Sequence, residues 1–340
     1  MKYRPLGKSG LLVSELCLGA MIFGEDGVRG ADQKTAQKII HKYLDAGGNH
    51  IDTANVYADG RSEKIVGEAI KNRRDQVILA TKVRFSMGDG PNDEGLSRYH
   101  IMQSVEASLQ RLQTDVIDLL YAHCWDPVTP LDETLRAFDN LVTAGKVRYI
   151  GVSNFKAWQL MKALALSDAH GWSRFVAAQY QYSLVERNIE SEFSELCLTE
   201  GLGLTPWGPL GGGFLSGKYQ PGDKPEEGRL SMMSDETEEA WHRRSNERNW
   251  NILRVVDEIS KAHRATYSQI ALAWLMGQPA VSSVIIGVRT VAQLEDNLVA
   301  SRISLTEEDL ARLEKVSRLG ERYPYRFIEQ YGARDLNPEN

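Results

Sequence analysis

The sequence predicts an α/β fold, a (β/α)8 barrel of the TIM type forming one domain, on three observations. Eight short apolar runs are each followed by a stretch with helical periodicity. Parallel strands need long crossovers, and right-handed helical crossovers bury both faces of the sheet, so eight such units in succession close into a barrel. No GxGxxG follows the first run, so the rival doubly wound sheet lacks its dinucleotide fingerprint. The 340 residues suffice for one barrel with extensions.

The elements follow in order. Residues 2–13 contain a hairpin around Lys8-Ser9-Gly10, expected to plug the N-terminal end of the barrel. Residues 15–20 (ELCLGA) form the first strand, and Asp32 caps a helix with Ala36, Ile39, Ile40, Tyr43 and Leu44 on one face. Residues 49–54 and 62–71 are the second strand and helix, and residues 76–83 (QVILATKV) the third strand. Ser97 opens a helix with Ile101, Val105, Leu109 and Leu112 at helical spacing. Residues 117–123 are the fourth strand, Pro130 starts the next helix and Gly145 stops it. The remaining strands fall at 147–153, 175–181, 202–207 and 283–287. The core runs from about 15 to 317, with a tail at 318–340. Residues 218–244, after the seventh strand, form a long polar loop that reads equally as a lid or a surface excursion.

Composition removes several function classes. Forty basic against 46 acidic residues give a net charge of −6, which argues against general nucleic-acid binding or a membrane-surface role. No apolar run approaches 18 residues, and the first residues lack the basic and apolar segments of a signal peptide, so a cytoplasmic location is expected. Cys17, Cys124 and Cys197 are far apart, and the seven histidines form no close pair, so neither a disulfide framework nor a metal site is expected. Residues 212–218 (GGFLSGK) imitate a phosphate-binding loop, but Tyr219 stands where a magnesium-binding hydroxyl belongs. Residues 151–155 (GVSNF) resemble a nucleophile elbow without its final glycine.

Polar residues at the C-terminal ends of barrel strands face the mouth, where barrel enzymes carry their chemistry. Asp52 ends the second strand, Tyr57 lies in the loop beyond it, Lys82 ends the third and His123 the fourth. Each alone has an ordinary structural reading, as a cap, a packing ring, a solvent-facing ammonium or a satisfied imidazole. Together they form a proton-transfer set. A phenol ionises near pH 10, and an adjacent ammonium favours its phenolate, so Lys82 is expected to lower the Tyr57 value. Asp52 orients Lys82, Tyr57 donates to a developing alkoxide, and His123 hydrogen-bonds the carbonyl oxygen. Such a set needs a bound hydride donor. The alternative use of Lys82, as the Schiff-base former of a barrel aldolase, is opposed by Asp52, which keeps it charged.

With these residues assembled, the sequence resembles the aldo-keto reductase superfamily, in its longer bacterial and potassium-channel-β-like branch, over roughly residues 4–317. The matches are Gly19-Ala20-Met21, Asp52-Thr53-Ala54 with Tyr57, Gly60-Arg61-Ser62-Glu63, Thr81-Lys82 and Gly95-Leu96-Ser97-Arg98. Thr114-Asp115, Asp118-Leu119, His123 with Asp126-Pro127 and Thr129-Pro130, Gly145-Lys146-Val147-Arg148 and Gly151-Val152-Ser153-Asn154 continue the series. The resemblance implies the catalytic tetrad Asp52, Tyr57, Lys82 and His123, and NADPH as cofactor, with NADH possible.

The same resemblance implies the cofactor site. Gly19 and Met21 border it, with Asp52 at its floor. Ser153, Asn154 and Gln179 would grip the nicotinamide carboxamide, and Trp207 would stack on the ring. Trp207-Gly208-Pro209-Leu210 resembles an aromatic-Ser-Pro-Leu stretch, with Gly208 in place of the hydroxyl residue. Gly213 and Lys218 would run beside the pyrophosphate, Gly287 and Arg289 beside the adenosine phosphate, and Gln293, Asp296 and Asn297 would face the adenine. Phe23, Trp125 and the 85–95 loop are expected around the substrate, beside Tyr57 and His123. The aromatic tail (Tyr323, Tyr325, Phe327, Tyr331) closes the mouth, packs on the barrel side or meets another subunit. The expected activity is reversible NADPH-dependent reduction of an aldehyde or ketone, a small-molecule carbonyl substrate, with no nucleic-acid or membrane partner. An NADPH-binding redox-sensing or regulatory subunit is the alternative.

Overall fold

The computed structural model describes residues 1–26, 30–320 and 322–332. It opens on an antiparallel hairpin of β1 (Tyr3–Pro5) and β2 (Leu12–Ser14), with Arg4 opposite Val13. Leu6 and Val13 of this hairpin are fully buried against Ala80, Leu119, Tyr121 and Ala177. Side chains alternate along a strand, so Ala80 shares the inner face of its strand with Lys82, two residues further on. The hairpin therefore closes the end of the barrel opposite the mouth.

The barrel strands are β3 (Leu16–Gly19), β4 (His50–Asp52), β5 (Ile78–Val83), β6 (Ile117–Ala122), β7 (Val147–Ser153), β8 (Phe175–Gln179), β9 (Gly203–Leu204) and β10 (Val284–Gly287). They pair in parallel, β3 to β9 in sequence, with β10 beside β3. Hydrogen bonds from the Leu204 amide to the Ala280 carbonyl and from the Ile285 amide to the Pro206 carbonyl, both 2.9 Å, join the last strands and close the ring. The seventh strand is shorter than its apolar run because Pro206 has no N–H to donate. The chain nevertheless stays extended beside β8, with the Trp207 amide 3.0 Å from the Tyr180 carbonyl.

The outer layer comprises α1 (Gln33–Asp45), α2 (Arg61–Ile70), α3 (Arg98–Leu112), α4 (Leu131–Thr143), α5 (Ala157–His170) and α6 (Phe193–Glu200) in the first part. Asp32 caps α1 by accepting from the Thr35 amide at 2.7 Å, and the buried face of α1 is the five-residue set read from the sequence. Ser97 caps α3 in the same way, and Gly145 follows α4 with φ +74. After β9 come α7 (Arg229–Met232), α8 (Trp241–Arg244), α9 (Glu247–His263) and α10 (Tyr267–Met276). Beyond β10 lie α11 (Val291–Val299), α12 (Glu307–Ser317) and α13 (Tyr325–Tyr331). The 218–244 segment is more than a surface excursion: Leu230, Trp241 and Arg244 are buried, and Trp241 meets Tyr219 and Trp250 edge to face. Among the described tail residues none lines the cavity at the mouth, and Tyr323, Phe327 and Tyr331 are exposed. Among the described residues no helix is long and apolar enough to cross a membrane.

His50 lies wholly buried on β4, its Nδ1 3.1 Å from the Ser283 hydroxyl. Burial pushes its pKa down from 6.5 to about 4. A folded value below the unfolded one means stability that is complete above pH 6.5 and lost as pH falls toward 4. At about 1.4 kcal/mol per unit, acidification across that window should remove roughly 3 kcal/mol through this one group. Urea unfolding at pH 7 and pH 4.5 is expected to show a smaller acid loss in His50→Gln than in the parent. Equal losses would contradict this account.

Candidate active site

Three neighbouring strands deliver the predicted tetrad to one place. Asp52 ends β4, Lys82 is the penultimate residue of β5, and His123 follows β6, its amide 3.1 Å from the Val83 carbonyl. Tyr57 begins a tight turn in which Ala58, Asp59 and Gly60 have φ of +48, +54 and +83. Left-handed geometry is costly for Ala58 and Asp59, a strain that persists only where the surroundings enforce it. The Lys82 ammonium donates to the Asp52 carboxylate, to the Thr53 carbonyl at 2.8 Å and to the Tyr57 hydroxyl at 3.2 Å. Its Nζ also lies 4.8 Å from the centre of the Tyr57 ring. The His123 ring meets Tyr57 edge to face at 5.8 Å and Phe85 at 4.7 Å.

Burial dominates the electrostatics. It raises the Tyr57 phenol above 10.0, with Lys82 acting in the opposite sense. The expected net lowering by Lys82 is therefore corrected: desolvation of a buried phenolate outweighs one neighbouring ammonium. Tyr57 is a neutral phenol at pH 7, the form that donates a proton. Burial alone would depress Lys82, but Asp52 and Tyr57 more than offset it, and the ammonium stays above 10.5. Burial, aided by Lys82, holds His123 well below 6.5, so its imidazole is neutral.

A cavity of about 800 Å³ opens over these groups. Asp52, Tyr57 and His123 line it, and so do Gly19, Met21, Ser153, Asn154 and Gln179. Trp207, Gly208, Pro209, Leu210, Gly213 and Lys218 form another part of the wall. Gly287, Arg289, Gln293, Asp296 and Asn297 line it as well. The polar groups near the tetrad hold one another. Ser153 donates to the Gln179 carbonyl at 2.7 Å, and Asn154 donates to the His123 carbonyl and the Ser153 hydroxyl, each at 2.9 Å. Gln179 Nε2 donates to the second Asp52 oxygen at 2.9 Å, linking this amide to the tetrad. Gly208 has φ +66, which accounts for glycine where a hydroxyl residue was expected.

Two expected substrate contacts fall outside the cavity lining. Phe23 is fully buried in the core, because a bridge to Ala31 and a 3.0 Å bond from its amide to the Ala20 carbonyl turn it inward. Trp125 packs edge to face on Phe155 at 5.0 Å and reaches toward Trp158. Of the 85–95 loop, Phe85 alone lines the cavity. Among the lining residues that the sequence reading missed are Val56, Arg229, Met232 and Glu239. Arg229 and Glu239 pair at 2.6 Å with Glu239 buried, so the 218–244 segment forms part of the wall. No periodicity or motif marks those positions in the sequence. Among the described residues no group of His, Cys, Asp or Glu is arranged to hold a metal.

The donor set, with its flat indole wall and its cations Lys218 and Arg289, fits an extended dinucleotide phosphate. Arg289 lies near enough to Lys218 to depress it further, after burial, below 10.5. Two converging cations favour a phosphate-bearing ligand.

The Aldo/keto reductase family matches residues 15–318. The chain is 40% identical to the uncharacterized oxidoreductase YrpG of Bacillus subtilis, over 93% of this chain and 96% of that protein. It is 37% identical to a probable voltage-gated potassium channel subunit beta of Arabidopsis thaliana, over 93% and 96%. It is also 37% identical to the norsolorinic acid reductase of Aspergillus flavus, over 96% and 84%. With the eight parallel strands and the extent of these matches, the chain belongs to the aldo/keto reductase family.

Proposed function

We propose that this chain is an NADPH-dependent oxidoreductase that reversibly reduces an aldehyde or ketone to the alcohol. The observation that carries the reading is the Tyr57 hydroxyl, 3.2 Å from a buried ammonium and facing a cavity also lined by Trp207 and the Ser153–Asn154–Gln179 cluster. Bound reduced nicotinamide supplies the hydride. Tyr57 delivers the proton to the carbonyl oxygen, and Lys82 stabilises the phenolate left behind. The neutral His123 imidazole hydrogen-bonds the same oxygen and fixes its direction. Asp52 holds Lys82 charged, which opposes use of that amine as a Schiff-base nucleophile. Trp207 and Ser153, Asn154 and Gln179 hold the nicotinamide end, and Lys218 and Arg289 the phosphates. The apolar Phe85 and Val56 walls suit hydrophobic carbonyl compounds.

The test is NADPH consumption with a panel of aldehydes and ketones, alongside NADPH and NADH titrations read by tryptophan fluorescence. NADPH is expected to bind more tightly and to quench through Trp207. Arg289→Ala should weaken NADPH by about tenfold or more, the value of a charge-assisted hydrogen bond, and NADH by less than about twofold. Equal losses for both cofactors would remove Arg289 from the 2′-phosphate. The likeness to a potassium channel subunit beta motivates a second reading, an NADPH-binding regulatory subunit. The complete Asp52–Lys82–Tyr57 set favours turnover, whereas tight NADPH binding without turnover on any carbonyl would favour the second reading.

A further inference from the structure

Glu63 is a carboxylate with no exposure at all, on the first turn of α2, and the proton-transfer set does not use it. One oxygen accepts from the Thr81 hydroxyl at 2.5 Å and the other from Arg111 Nε at 2.6 Å. Thr81 is the strand neighbour of Lys82, so Glu63 grips the outer face of the residue next to the ammonium. The stem of Arg111 presses on the turn that carries Tyr57: a Cβ on Gly60 would come 2.7 Å from Arg111 Cδ. Ser62 adds a second anchor, donating to the Ala20 carbonyl at 2.7 Å and lying 2.8 Å from the Thr53 hydroxyl. The start of α2 is thus tied to the mouth ends of three successive strands.

We infer that Glu63 is a positioning residue for Tyr57: with Arg111 it clamps the first turn of α2 against β5 and so sets the distance between the phenol and Lys82. The inference rests on the reading of Tyr57 as the acid. Its physical basis is the turn between them. Ala58, Asp59 and Gly60 are all left-handed, a conformation that relaxes unless both ends are held. The upstream end is held by the Tyr57 amide on the Ala54 carbonyl at 3.2 Å and the Asn55 amide on the Lys82 carbonyl at 3.3 Å. The downstream end is held by Ser62 and Glu63. A small slip there moves the hydroxyl away from both the ammonium and the carbonyl oxygen, and proton transfer is steeply sensitive to such displacement.

A buried ion pair in a barrel wall also has a plain packing role, so the test must separate the two. Removing one partner strands a buried charge, whereas replacing both by apolar residues is often tolerated. The variants are therefore Glu63→Met with Arg111→Leu together, Glu63→Gln alone, and Tyr57→Phe as reference. For the apolar pair we expect an NADPH dissociation constant and a KM within about threefold of the parent, and kcat lower by about tenfold or more. The solvent deuterium isotope effect on kcat should rise, because proton delivery becomes limiting. Glu63→Gln keeps an acceptor for Thr81 but loses the charge facing Arg111, so it should fall between parent and pair. It carries the same readout if the pair does not fold. Unchanged kcat and isotope effect, or cofactor affinity falling in step with kcat, would overturn the inference. If the clamp variants are fully active while Tyr57→Phe is inactive, the inference fails alone. If Tyr57→Phe turns over like the parent, or the parent reduces no carbonyl, the reading beneath it fails and the inference falls with it.

Discussion

Tyr57→Phe is expected to lower carbonyl reduction by about 10²–10⁴-fold while leaving the NADPH dissociation constant within about twofold. The substitution removes one oxygen and keeps the ring, so the edge-to-face contact with His123 at 5.8 Å survives. What disappears is the only tetrad group that is both neutral and able to release a proton whose conjugate base is stabilised on site. His123 is neutral but has no ammonium partner bonded to it, and Lys82 is committed to Asp52, Thr53 and Tyr57. Cofactor affinity should hold because the cofactor is proposed to be gripped by Trp207, Lys218, Arg289 and the Ser153–Asn154–Gln179 cluster. Steady-state reduction and fluorescence titration on the same preparation check both halves.

Lys82→Met should cost both activity and stability. The Lys82 ammonium is inaccessible, and the Asp52 carboxylate beside it is 4% exposed. Without the ammonium, Asp52 keeps one side-chain donor, Gln179 Nε2, for a carboxylate that has left water. Breaking a buried pair in this way costs about 3–5 kcal/mol, against total stabilities of about 5–15 kcal/mol. The double variant Asp52→Asn with Lys82→Met removes the stranded charge, so it should recover much of the stability while recovering no turnover. Urea unfolding of the two variants and the parent gives the stability difference directly. Turnover in either variant near the parent value would remove Lys82 from the mechanism.

The parts of this molecule legible in the sequence are those set by local periodicity and strand-end chemistry. Ala36, Ile39, Ile40, Tyr43 and Leu44 repeat at helical spacing after a capping Asp32, and that pattern is written in contiguous residues. Asp52, Lys82 and His123 interrupt or end apolar strands, and a barrel brings such positions to one mouth. What escaped depends on tertiary contacts. Arg229 and Glu239 reach the cavity through a segment with no period, held by Leu230 and Trp241 packing beneath it. Phe23 reads as a mouth aromatic two residues after Met21, yet its bridge to Ala31 buries it. The sign of the Tyr57 shift was missed for a related reason. Charge proximity is visible in the residue types, while the depth of burial that outweighs it is not.

The central claim is that a protonated, buried Tyr57 is the acid in reduction and its phenolate the base in oxidation. The pH dependence of single-turnover rates in both directions tests it most directly. Burial holds Tyr57 above 10.0 and His123 well below 6.5, so neither changes its protonation state across neutral pH. Carbonyl reduction should therefore be flat from about pH 7 to 9, while alcohol oxidation rises about tenfold per pH unit over the same range. A reduction rate that falls between pH 6 and 8, or an oxidation slope that persists in Tyr57→Phe, would assign the proton to another group.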